Sequence, residues 1–267
     1  MPERVAAAID SLPSIVSVQP ESLQQKDNLC GPFWAARVLR GFGIVSWGGQ
    51  PIDEDLIALR AGTVLPNSGA VGALPPGAVS RASYRYQLPL APIAASGTAA
   101  GSLVEAIESA ALGALRCIPV SGRWTAERVA GLVEEARGLD GARLIANVRT
   151  GCLWGSRPPL ATLLDELEGG PSPDPAPDWD VGHFVELAGL IRGARGALVH
   201  VQDSYPSMGW EGHHLQPPRV IASALLRGDG REGGVLVVVR AGRAAEVASL
   251  AGGLDLDIGA WNNGTGS

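Results

Sequence analysis

The sequence predicts an α+β fold in which a helical first half packs against an antiparallel sheet built by the second half. Apolar residues recur at helical spacing in residues 31–60 and 102–137, whereas short runs rich in Val, Ile and Leu follow residue 141. A turn-like stretch at 193–196 separates two of these runs, as in a hairpin.

The first predicted helix follows Cys30. Pro32 suits a first helical turn, because the amide hydrogen that it lacks would have no partner there. Apolar residues between Phe33 and Leu39 form one side, and Gly41 ends the pattern. Cys30 is therefore expected at or just before a helix N-terminus.

Three more helices are predicted, each opening on a residue type that caps helices. They are residues 53–60 from Asp53, 102–115 from Ser102 and 125–137 from Thr125. Segment 61–101 is rich in Gly, Pro, Ala and Ser, and we predict an irregular insertion there.

Four strands are predicted in the second half, at residues 142–148, 184–190, 198–202 and 234–239. Residues 165–180 hold six Asp or Glu and four Pro but no Lys or Arg, which predicts an acidic, extended loop. We interpret residues 1–267 as a single domain, with an N-terminal extension at 1–20 and a frayed tail at 262–267.

Charge and cysteine content exclude several classes of function. Lys and Arg total 21 against 27 Asp and Glu, a net charge of −6, and no basic run suggests a nucleic-acid partner. No stretch approaches the roughly 20 apolar residues that cross a membrane, and the first residues lack a secretory signal, so a cytoplasmic protein is expected. Cys30, Cys117 and Cys152 form neither a CxxC pair nor an even set, which predicts free thiols.

Cys30 is the candidate nucleophile. A helix N-terminus lowers the pKa of a thiol through the partial positive charge of its unpaired amides, and the thiolate is the reactive form. Gln24 lies six residues upstream, where its side-chain amide is positioned to donate to an oxyanion beside the Cys30 amide.

His183 and Asp203 are the candidate partners of Cys30. His183 opens one predicted strand and Asp203 follows the end of the next, so a hairpin would place them side by side. A carboxylate in that position fixes the tautomer of the imidazole and favours its protonated form beside a thiolate.

These motifs resemble those of papain-like cysteine peptidases, and most closely those of the bacteriocin-processing C39-like branch. The resemblance is carried by Gln24-x5-Cys30-Gly31, Gly182-His183-Phe184-Val185 and Asp203-Ser204-Tyr205-Pro206. It implies a papain-like fold with Cys30 as nucleophile and His183 as general base and acid. It also implies Asp203 as the group that orients His183, and Gln24 as oxyanion donor. The helix carries Pro-Phe-Trp after Cys30-Gly31, unlike the Ser-Cys-Trp of lysosomal relatives, so the resemblance transfers no substrate.

The sequence thus predicts a cysteine-nucleophile hydrolase, a peptidase or amidase, that acts on a peptide or amide through an acyl-enzyme and without a cofactor. Three alternatives stay open. An acyltransferase or cyclase in peptide natural-product maturation would use the same triad. A catalytically idle papain-like domain would bind a peptide without cutting it, and a scaffold would keep Cys30 away from His183.

Several further side chains have the chemistry of binding residues. Trp34, Trp154 and Trp179 are aromatic candidates for substrate contact. His213 and His214 are of a metal-ligating type, but adjacent strand residues point apart, so no metal site is predicted.

Overall fold

The computed structural model describes residues 24–67, 74–170 and 174–265. The predicted N-terminal extension at 1–20 lies outside these ranges. The helices within them are α1 (Cys30–Gly41), α2 (Glu54–Arg60), α3 (Ala100–Ala111), α4 (Ala126–Ala136), α5 (Leu160–Glu168), α6 (Pro218–Leu226) and α7 (Ala244–Gly253).

A seven-stranded antiparallel sheet dominates the described part of the chain, which confirms the α+β class. Its strands are β5 (Leu115–Ser121), β6 (Arg143–Arg149), β7 (Gly182–Arg192), β8 (Ala197–Gln202), β9 (His213–Gln216), β10 (Gly234–Arg240) and β11 (Asp257–Ile258). Their order across the sheet is β11-β5-β10-β6-β7-β8-β9. Short pairs also form between β1 (Ser46–Trp47) and β2 (Gln50–Pro51), and between β3 (Leu65–Pro66) and β4 (Leu90–Ala91).

Helices cover both faces of this sheet. Leu236 and Val238 of β10 pack with α1, α2 and α3, whereas the alternating residues Val235, Val237 and Val239 pack with α4, α6 and α7. Because side chains alternate across a strand, a strand buried on both faces is apolar throughout. This explains why β10 is a continuous run of Val and Leu.

Two of the three predicted caps and the start of α1 agree with the structure, whereas Ser102 lies inside its helix and does not cap it. Cys30 is the first residue of α1. Asp53 caps α2 by accepting a 2.8 Å hydrogen bond from the Leu56 amide, and Thr125 caps α4 by accepting one from the Arg128 amide. The four predicted strands match β6, β7, β8 and β10 to within two residues at each end.

Two of the predicted elements are corrected. The helix expected at 102–115 begins at Ala100 and stops at Ala111, because Leu112 and Gly113 both have positive φ and turn the chain into β5. The acidic loop expected at 165–180 begins as the last turn of α5. Leu163 and Leu167 bury one side of that helix, and this spacing outweighs the acidic composition.

No helix in the ranges described combines the length and the apolar character that crossing a bilayer requires.

Candidate active site

The thiol of Cys30 lies at the start of α1 and beside the first residues of β7. Its side chain is half-buried, and it hydrogen-bonds with His183 and with the backbone of Phe184 and Gly31. Burial raises the pKa of the thiol, but the hydrogen bond with His183 and the charge of that imidazole lower it, and the net pKa is below that of an ordinary cysteine. Cys30 is therefore biased towards the thiolate.

His183 is held between the thiol and a carboxylate. It is the second residue of β7, is almost fully buried, and its Nε2 atom lies 3.2 Å from Oδ1 of Asp203. Nδ1 is therefore the ring nitrogen that is left to hydrogen-bond with the thiol of Cys30. Burial lowers the pKa of His183, but the charge and hydrogen bond of Asp203 raise it to about 10. The imidazole is thus held in its protonated form at neutral pH.

The antiparallel pairing of β7 with β8 brings these two residues together. Glu186 lies opposite Gln202, so the beginning of β7 runs beside the end of β8 and the residue that follows it, Asp203. The buried Asp203 also accepts a 2.9 Å hydrogen bond from the Tyr205 amide. Burial alone would raise the pKa of this carboxyl, but the charge of His183 lowers it well below its ordinary value.

A second histidine approaches Asp203 from the opposite side of the carboxylate. His214 is buried on β9, and its Nε2 atom lies 3.9 Å from Asp203 Oδ2. Its Nδ1 atom is 3.0 Å from Nε2 of Gln216. The Gln216 side chain also accepts a hydrogen bond from the Trp154 amide and donates one to the Trp154 carbonyl. An amide nitrogen only donates, so Nδ1 of His214 accepts and the ring proton lies on Nε2, towards Asp203.

This role for His214 was not predicted from the sequence, in which the residue is only of a metal-ligating type. The alternation of β9 turns the two adjacent histidines apart: His213 bonds to His200 at 2.8 Å, and His214 faces the sheet interior. Within the described ranges, no group of three or more His, Cys, Asp or Glu side chains is arranged to hold a metal ion.

The two adjacent glutamines occupy different places. The side chain of Gln24 donates to the Val79 carbonyl and accepts from the Val79 amide. Gln25 is buried and lines the cleft beside Cys30. The side-chain oxygen of Gln25 accepts a 2.5 Å hydrogen bond from the Ser204 hydroxyl. Its side-chain NH2 group donates to the Lys26 carbonyl, and this bond uses one of the two N–H donors of that group.

A cleft of about 410 Å³ opens over Cys30 and His183. Trp179 forms part of its wall, with its ring centroid 5.0 Å from that of His183, so this predicted substrate contact lies at the site. Trp34 and Trp154 are both buried and are not among the residues lining the cleft. They contribute to the protein interior instead.

Residues 9–262 match a Family of unknown function (DUF6885). The chain belongs to the DUF6885 family. Cys30, His183 and Asp203 all lie within the matched region of this family. A search of curated proteins finds no match.

In this DUF6885 protein, the predicted insertion at 61–101 fixes the loop before Cys30. The buried carboxylate of Asp27 accepts hydrogen bonds from the Ser80 hydroxyl at 2.5 Å and from the Arg81 amide at 3.0 Å. Tyr84 donates to the Asp27 carbonyl. Residues 93–98 of the same segment then form a wall of the cleft, apart from Ala95. Residues 74–98 of this segment therefore contribute to the site.

Proposed function

We propose that this protein is a papain-like cysteine hydrolase that cleaves peptide or amide bonds through an acyl-enzyme. The observation that carries the proposal is the hydrogen-bonded series from Cys30 to His183 to Asp203 at the mouth of the cleft. A thiol held beside a protonated imidazole at a helix N-terminus is the arrangement that makes cysteine nucleophilic at neutral pH.

His183 gives a proton in the first half of the reaction and accepts one in the second half. The Cys30 thiolate attacks the substrate carbonyl and forms the carbon–sulfur bond, and His183 gives its proton to the leaving nitrogen as the carbon–nitrogen bond breaks. Water then gives a proton to His183 and attacks the thioester, so the carbon–sulfur bond breaks and the carboxylic acid leaves. Asp203 keeps the imidazole oriented and stabilises its charged form.

Two donors are available for the oxyanion. The amide of Cys30 lies in the first turn of α1, where backbone N–H groups have no intrahelical partner. We assign the second donor to Gln25 rather than to Gln24, because Gln25 lines the cleft and Ser204 orients its amide. The resemblance to papain-like peptidases, in which Gln, Cys, His and Asp follow in this order, supports the assignment of a Gln to this role.

The lowered pKa of Cys30 argues against an idle binding domain. Burial favours a neutral thiol, and a binding domain has no need of an imidazole and carboxylate that reverse this effect. Hydrolysis and acyl transfer share the same intermediate and differ in the acceptor that enters the cleft.

The test is acylation by p-nitrophenyl acetate, followed by release of p-nitrophenol and by peptide mass spectrometry. We expect a burst of one equivalent and an acetyl group on Cys30, absent in Cys30→Ala. Cys152→Ala is the matched control, since Cys152 is another half-buried free thiol and should leave the burst intact. Decay in buffer with and without an added amine separates hydrolysis from transfer. Acetylation spread over both thiols, or none, would contradict the proposal.

A further inference from the structure

The cleft carries positive charge on a protein that is negatively charged overall. The net charge of the chain is −6, yet no Asp or Glu occurs among the described residues lining the cleft. Beyond Cys30, His183 and Tyr205, the ionisable side chains of that lining are Arg227 and Arg231. Both lie in the segment that joins α6 to β10.

Arg227 is fixed beside the strand that carries His183. Its side chain is almost fully buried, and its guanidinium donates to both oxygens of Asp229, at 3.3 Å and 3.1 Å, and to Asn147 at 3.2 Å. The group lies so close to Gly182 that a Cβ there would be 2.8 Å from Nη2. The backbone of Arg227 has φ of 64°, a conformation that non-glycine residues rarely adopt. Such strain persists where surrounding contacts impose it, and it is common at ligand sites.

Arg231 is half-buried at the rim of the same cleft. One terminal nitrogen donates to the Ala94 carbonyl at 2.8 Å, and the side chain packs against Gly264. Its backbone amide donates to Asp229, the same carboxylate that holds Arg227. Asp229 thus pairs with the guanidinium of Arg227 but only with the backbone of Arg231. One carboxylate accompanies two arginine charges, which leaves a net positive charge on this wall.

We propose that this wall recognises a carboxylate on the substrate, with Arg231 as the binding residue and Arg227 supporting it. The inference rests on the proposed function, because it names the class of substrate for the same site. Arg presents several N–H donors in a planar fork that fits a carboxylate, and such charge-assisted hydrogen bonds strengthen where solvent is partly excluded. The substrate is thus an anionic acyl compound, carrying either an acidic side chain or a terminal carboxylate.

The experiment compares alkylation of Cys30 by three probes with the same electrophile. N-iodoacetylglycine has a terminal carboxylate, N-iodoacetyl-aspartic acid α-amide has a side-chain carboxylate, and N-iodoacetylglycinamide is neutral. We expect wild type to react faster with at least one anionic probe than with the neutral one, by about fivefold at low salt. The faster of the two anionic probes shows whether the cleft prefers a terminal carboxylate or a side-chain carboxylate.

Variants assign the preference to Arg231. Arg231→Gln should bring the anionic-to-neutral rate ratio close to the ratio that the same probes show with a free thiol in solution, and Arg231→Lys should keep part of the preference. The matched control is Arg192→Gln, which removes an exposed arginine that pairs with Glu134 away from the cleft. That variant should keep the wild-type ratio. Added salt should reduce the wild-type preference, because ions screen exposed charges.

The outcomes separate this inference from the proposed function. Rapid labelling of Cys30 with a ratio that Arg231→Gln leaves unchanged would overturn carboxylate recognition while the nucleophilic site stands. Labelling of Cys30 by none of the probes would overturn both. Thermal unfolding of each variant identifies any loss of ratio that comes from a damaged fold.

Discussion

Nε2 of His183 lies 3.2 Å from Oδ1 of Asp203, and both side chains are almost completely shielded from solvent. A buried carboxylate beside a buried imidazole favours the charged pair over two neutral groups. The pKa of His183 rises to about 10 for this reason, and that of Asp203 falls. The charge on His183 in turn lowers the pKa of Cys30, so Asp203 acts on the thiol through the imidazole.

Asp203→Asn should weaken the reactivity of Cys30 at low pH. The amide keeps the shape of the carboxylate but removes its charge, so the pKa of His183 falls and the imidazolium no longer stabilises the thiolate. We expect the alkylation rate at pH 6 to fall by at least about tenfold. Asp255→Asn, at an exposed carboxylate paired with Arg128, is the control and should leave the rate unchanged. Equal rates in wild type and Asp203→Asn would refute the coupling.

Gln25→Ala should slow acylation more than Gln24→Ala. If the Gln25 amide holds the oxyanion, its removal costs about 10²- to 10³-fold in the acylation step. Gln24 bonds to Val79 and should matter less for the chemistry. Burst rates with p-nitrophenyl acetate measure the difference. A larger loss in Gln24→Ala would return the oxyanion role to the residue that the sequence predicted.

His214→Phe should shift the pH dependence of Cys30 alkylation in the same direction as Asp203→Asn, but by less. His214 helps to lower the pKa of Asp203, so its removal weakens the charge that acts on His183. Phe has a similar ring volume and cannot donate. His213→Phe is a matched control on the opposite face of the same strand, where the ring bonds to His200. Identical profiles for both variants would show that His214 is merely structural.

Gly31→Ala should destabilise the fold where α1 meets α3 and β7. A Cβ at Gly31 would come 2.8 Å from Cδ1 of Leu103 and 3.3 Å from Phe184. Overpacking of this kind costs about 1–3 kcal/mol of unfolding free energy. Urea unfolding should show that Gly31→Ala is less harmful in a Leu103→Ala background than in wild type.

Gly41→Ala is the control for that experiment, since no atom lies within 4 Å of the added Cβ at the end of α1. It should be close to neutral. Equal losses from Gly31→Ala with and without Leu103 would show that the contact with Leu103 is not the cause.

Local signals predicted the parts of the site that depend on local structure. Pro32 and the following apolar spacing placed Cys30 at a helix start, and a turn at 193–196 predicted the hairpin that joins His183 to Asp203. The choice between Gln24 and Gln25 depends on how the chain bends before α1. Asn28, with φ of 62°, and the anchoring of Asp27 by the distant segment set that bend. Such tertiary contacts leave no periodic signal.

Short or interrupted elements also could not be predicted from local sequence patterns. Strand β9 has four residues, too few for a periodicity to be recognised, and so the buried position of His214 could not be predicted. Strand β5 follows α3 after only three residues and carries Pro119, which disfavours a strand in sequence. Arg227 and Arg231 reach the cleft from a connection far along the chain from Cys30.

The most direct test of the account is the pH dependence of iodoacetamide alkylation at Cys30 in wild type and in His183→Ala, read by peptide mass spectrometry. We expect rapid labelling of wild type well below the ordinary thiol pKa of about 8.5. We expect His183→Ala to be labelled only as the pH approaches that value. Slow labelling of Cys30 at low pH in both proteins, or the same fast profile in both, would contradict a thiolate–imidazolium pair.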